Sequence, residues 1–72
     1  MKVEEVSAIF GRVLELGEVG ANADFFALGG DSLLATRVLS AVARACGVEL
    51  SFDDFAGSPT PAALALRIAS LP

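Results

Sequence analysis

Apolar residues open the chain at spacings of three and four: Val3, Val6, Ile9, Phe10, Val13 and Leu14. That period marks one buried face of an amphipathic helix. It predicts a first helix ending near Leu16, with Gly17 as its stop. Gly11 inside it costs roughly 1 kcal/mol relative to alanine, less than burial of the aliphatic face contributes. From Gly17 to Asp31 no period persists, and Gly20, Asn22, Asp24, Gly29 and Gly30 punctuate what reads as a long connection. Phe25, Phe26 and Leu28 are its apolar anchors, and at least one of the two phenylalanines should be well buried.

The period resumes at Ser32 and runs to about Cys46. Leu34, Val38, Ala41, Val42 and Ala45 fall on one face, and Thr36, Ser40 and Arg44 on another. Gly47 supplies a left-handed stop. Leu50 to Ala56 is too short for a full helix, and Ser51 with Asp54 at capping-box spacing predicts a single irregular turn. Its Phe52 and Phe55 lie three apart and can cover one end of the second helix. Gly57 and Pro59 break the chain; Thr60 and Pro61 then make the N-cap and N1 pairing of a last helix through Leu64, Ile68 and Leu71. The predicted fold is all-α, a small antiparallel bundle of three main helices plus one short one. Its 72 residues permit a single domain, 1–72.

Between the first two helices, Leu28-Gly29-Gly30-Asp31-Ser32-Leu33-Leu34 has the form of a loop delivering a helix N-terminus. Asp31 is placed as the N-cap, its carboxylate accepting a first-turn N–H. Ser32 is then the first helical residue, with its hydroxyl toward water. The first N–H groups of a helix lack partners and the macrodipole is positive there, so a phosphate ester on Ser32 would sit in a favourable field. The plainer alternative is that glycine, aspartate and serine are ordinary loop and cap residues.

Composition removes several chemistries. Net charge is −4, and the five basic residues stand singly at Lys2, Arg12, Arg37, Arg44 and Arg67, which leaves no stripe for a nucleic acid. No signal-peptide core follows Met1 and no stretch approaches a membrane span, so a cytoplasmic protein without membrane contact is expected. With one cysteine and no histidine, neither an internal disulfide nor a metal site is expected, and Cys46 reads as a small core or near-core hydrophobe. Gly30-Asp31-Ser32-Leu33 also spells the first block of the Gly-Asp-Ser-Leu hydrolases. A serine nucleophile needs a base within hydrogen-bond reach, and no histidine exists to serve in a triad. Asp53 and Asp54 are the one adjacent pair of carboxylates outside the first turn, and they read as caps and solvated charges. The chain is read as a non-enzyme.

Asp24-Phe25-Phe26-Ala27-Leu28-Gly29-Gly30-Asp31-Ser32-Leu33-Leu34-Ala35-Thr36-Arg37 resembles the core signature of peptidyl carrier proteins, the thiolation domains of nonribosomal peptide synthesis. Val19 and Gly20 before it, and Gly47, Val48, Glu49, Leu50, Phe55, Pro59, Thr60, Leu64, Ala65 and Ile68 after it, keep the family's order. Ala23, Gly11 and Phe10 depart from it, the last where the family often has tryptophan. The resemblance implies one carrier domain with the acyl-carrier-protein-like fold. It implies covalent 4′-phosphopantetheine on Ser32, drawn from coenzyme A, bearing an aminoacyl or peptidyl thioester. It also implies a monomer served by a phosphopantetheinyl transferase and an adenylation enzyme or domain, and by condensation, thioesterase or tailoring enzymes. Asp31, Leu33 and Arg37 are the implied recognition residues. By spacing alone Leu33 divides between the flank of the core and a partner contact, and the resemblance favours the contact. An acyl carrier of polyketide or fatty-acid synthesis, or an unmodified docking module, is the alternative. Entering its first helix without a linker rich in Pro, Gly or Ser, the chain fits a free-standing carrier.

Overall fold

The computed structural model describes residues 1–71. It contains α1 (Val3–Leu14), α2 (Ser32–Cys46), α3 (Phe52–Gly57) and α4 (Pro61–Ala69), and no strand among the described residues. Helix α1 packs against both α2 and α4, and α3 packs on α2.

Each helix begins on a distinct device. At α1 the backbone N–H of Lys2 donates to Glu5 Oε1 at 2.8 Å. Asp31 Oδ1 accepts from Leu34 N at 2.9 Å and caps α2. At α3, Ser51 Oγ accepts from Asp54 N while Asp54 Oδ2 accepts from Ser51 N, both at 3.1 Å. The box that the Ser51/Asp54 spacing suggested therefore starts a regular six-residue helix rather than an irregular turn. Thr60 Oγ1 accepts from Ala63 N, with Pro61 in the first turn of α4. That helix ends at Ala69, so Leu71 lies beyond it.

The first helix stops earlier than the pattern suggests. Glu15, not Gly17, takes the left-handed conformation at φ 56°, and Leu16 N donates back to Gly11 O at 2.8 Å. The reversed chain passes so close to α1 that a Cβ on Gly11 would meet the carbonyl oxygens of Leu16 and Gly17 at 3.2 Å. Gly11 is therefore a site of close backbone approach, which offsets its low helix propensity.

All five phenylalanines join one aromatic cluster. Phe10 from α1, Phe25 from the connection and Phe55 from α3 are fully buried, with centroids 5.0 Å (Phe10–Phe25), 5.0 Å (Phe25–Phe55) and 5.9 Å (Phe10–Phe55) apart. Val6, Val38, Val42 and Leu64 extend this core. The buried stripe of α2 is Ala35, Val38 and Val42. Leu34 and Ala41 lie half-buried beside it, but Ala45 is exposed, one turn past Val42, the last buried residue of the helix. Cys46 is exposed as well, its Sγ donating to Val42 O at 3.3 Å, so it is a surface thiol at the end of α2 and not a core residue.

Candidate functional site

The connection from Glu15 to Asp31 carries few regular bonds of its own, and its position comes from the rest of the chain. Phe25 N donates to Pro59 O at 2.8 Å and Ala62 N donates to Ala21 O at 2.9 Å, which ties the segment to the start of α4. Asp24 Oδ1 then accepts from Phe26 N and Ala27 N at 2.9 and 3.1 Å and winds the chain into a tight turn. Leu28, expected as a third anchor, is exposed; the turn places Phe25 inward and Phe26 at the half-buried edge, and Leu28 falls on its outer side.

The two glycines that follow have different reasons. Gly29 adopts φ 105°, a region open to glycine at little cost. Gly30 lies against Phe25: its N–H donates to Phe25 O at 3.0 Å, and a Cβ there would overlap the Phe25 ring. The buried ring thus fixes where the backbone enters α2.

Asp31 at that entrance is extended, and Ser32 is the first residue of the helix, exposed. Asp31 takes two of the first N–H groups, Leu34 N by its carboxylate and Ala35 N by its carbonyl at 2.8 Å. Those of Ser32 and Leu33 are left directed out of the N-terminus, where the dipole favours an anion. Thr36 Oγ1 donates to Ser32 O at 3.0 Å and steadies the first turn. Leu33 is 68% exposed and Arg37 is exposed. All four residues singled out by sequence therefore lie on the surface at the start of α2, with Leu33 off the core.

An exposed serine at a helix N-terminus, held in place by an aspartate cap and a glycine pressed on a buried ring, suits a bulky phosphate ester that must reach solvent. A family model described as the phosphopantetheine attachment site matches residues 4–68. The chain belongs to that family. Its cofactor is 4′-phosphopantetheine from coenzyme A, and it is a carrier domain of the kind found in nonribosomal peptide synthesis. A dimodular nonribosomal peptide synthase of Bacillus subtilis (strain 168) is 47% identical over 60 residues, covering 83% of this chain and 2% of that protein. Among solved structures, the carrier protein bound to the phosphopantetheine transferase Sfp with coenzyme A superposes with a TM-score of 0.93 at 32% identity. That match covers 99% of this chain and 92% of the other. McyG A-PCP with phenylalanyl-adenylate matches at TM-score 0.86 and 32% identity, over 90% of this chain and 10% of that one. The carrier domain spans only 1–2% of the length of such synthetases.

In the sequence Asp24 and the two glycines are alike as loop punctuation and family signature; the fold gives each a separate role. The signal lies in the aspartate itself, whose side chain can bond the backbone two residues on and close an Asx-turn. Contact between Gly30 and Phe25 has no such local signature.

Proposed function

We propose that Ser32 is the attachment point and that residues 1–72 form one non-catalytic carrier domain, acting in the cytoplasm as a monomer. The observation that carries this reading is the exposed first-turn position of Ser32, with its own N–H and that of Leu33 free to face a phosphate. Once attached, the group supplies a flexible thiol that holds an aminoacyl or peptidyl unit as a thioester. The chain's own residues do the rest. Asp31 keeps the first turn formed, Gly30 and Phe25 fix its direction, and the helix field contributes about 0.3–1 kcal/mol toward an anion at Ser32. Leu33 and Arg37, one turn apart on the exposed face, offer a partner an apolar contact and a charge. The partners on this reading are a phosphopantetheinyl transferase and an adenylation enzyme or domain, followed by condensation, thioesterase or tailoring enzymes. With no histidine in the chain, Ser32 has no triad base, which favours modification over catalysis. No described helix is long and apolar enough to cross a membrane.

The test is intact mass after incubation with coenzyme A and a phosphopantetheinyl transferase. Wild type gains the phosphopantetheine mass, and Ser32→Ala does not, while its helical circular dichroism stays unchanged because the residue is exposed. An Ala variant that still gained the mass would place the attachment elsewhere.

A further inference from the structure

Between the C-terminal half of α1, the Leu28–Gly29 corner and the exposed face of α2 runs an open groove of about 920 Å³. Arg12 enters it from α1, and Arg37 and Arg44 from α2; the exposed Leu28 and Leu33 sit at its Ser32 end. Three of the chain's five cations therefore meet here with one carboxylate, Glu15, in a chain of net charge −4. The groove is locally +2 and the remainder of the surface −6. Among the described residues the one ion pair joins Arg67 to Asp54, neither of which lines the groove, so the three groove arginines are not neutralised within the chain. A cation in a last turn suits the helix dipole, which accounts for Arg12 and Arg44 singly. It does not account for Arg37 in the second turn of α2, nor for all three facing one groove.

We infer that this groove docks an acidic amphipathic helix of a partner enzyme, with Arg12 of α1 as part of the contact. The inference rests on the carrier reading above and extends the docking face from α2 across to α1. Leu33, Arg37, Ser40 and Arg44 follow each other at spacings of four, three and four, so they form one stripe. Arg37 and Arg44 stand two turns apart, about 10.5 Å along the axis. Carboxylates seven residues apart on an incoming helix match that interval. A leucine one turn beyond the carboxylate that meets Arg37 can cover Leu33 and Leu28, while Arg12 closes the opposite wall. Apolar contact at one end and opposite charges along the groove give both affinity and steering.

The probe is a synthetic helix with glutamates seven residues apart and a leucine one turn outside one of them, titrated into isotopically labelled protein before and after loading and followed by amide chemical shifts. Shifts are expected at α2 from Leu33 to Arg44 and at the end of α1, weakening as salt rises. Arg12→Glu should weaken binding about tenfold, equivalent to about 1.4 kcal/mol. Lys2→Glu, the same charge change outside the groove, should alter it less than about twofold, since long-range charge is screened. Equal effects of the two variants, shifts elsewhere, or binding of the lysine counterpart of the peptide would overturn the inference. So would concentration-dependent shifts of the same residues without peptide, which would give the groove to a second copy of the chain. Loading of Ser32 is read by mass on the same samples: a loaded protein that ignores the peptide overturns the groove alone, and an unloadable one overturns the attachment reading alone.

Discussion

Replacing Gly30 with alanine tests whether the buried Phe25 ring sets the entrance to α2. The added methyl has nowhere to go: it would overlap the Phe25 ring and lie 2.8 Å from the Phe25 carbonyl oxygen. Phe25 cannot withdraw easily, because Phe10 and Phe55 meet it at 5.0 Å on other sides and it has no exposed surface. Overpacking of this kind costs about 1–3 kcal/mol, and because backbone as well as ring must yield, the upper half of that range is expected. For a domain of this size about 2 kcal/mol lowers the melting temperature by roughly 8–16 °C. The assay is urea denaturation of Gly30→Ala followed by far-ultraviolet circular dichroism, beside two other glycines. Gly20→Ala, with open space and no positive φ, should stay within about 0.5 kcal/mol of wild type. Gly29→Ala, also in open space but at φ 105°, should lose about 1–3 kcal/mol from backbone strain alone. Transferase loading of Gly30→Ala should also slow under conditions where it remains folded, since Ser32 lies two residues on. A Gly30→Ala protein with the wild-type midpoint and loading rate would refute the claim that the ring fixes the site.

Two further outcomes follow from the same geometry. Phe25→Ala should cost about 3–5 kcal/mol and Phe26→Ala distinctly less, because the first ring is fully buried and the second only half so; equal midpoint losses in urea would contradict this packing. The Asp54 carboxyl is held below its usual pKa, first by the Arg67 guanidinium at 2.8 Å and then by the N–H and hydroxyl of Ser51. A depressed folded-state pKa stabilises the fold above the unfolded value of 3.8 and loses that contribution as pH falls through the lower one. Stability of wild type should therefore decline more steeply than that of Asp54→Asn as pH drops below about 4, and parallel curves would remove Asp54 from the account.

Much of this fold was readable from local chemistry. Helix α2 has its sequence-read limits because both ends are encoded nearby, by the Asp31 cap and by Gly47 at φ 71°. The end of α1 was missed because the left-handed residue is a glutamate, placed by the tight return of Leu16 onto Gly11 rather than by its own propensity. Ser32, Asp31, Leu33 and Arg37 could be placed by counting from the cap. Burial of Ala35 in place of Ala45, and exposure of Cys46, depend on where α1 crosses α2, which no period within α2 reveals. The same holds for Arg12, Arg37 and Arg44, scattered in sequence and brought together only by packing, and for Asp54 with Arg67, thirteen residues apart.

Gathering every phenylalanine into one cluster, in a chain with neither tryptophan nor tyrosine, has a spectroscopic consequence. The near-ultraviolet dichroism of the unmodified protein arises from these rings alone. Three of them come from α1, the Gly30-bearing connection and α3, so that signal falls when any one segment leaves the other two. Far-ultraviolet dichroism reports helices whether or not the connection is docked. The two signals separate a bundle with an ordered attachment site from one in which the helices persist and the site has come loose.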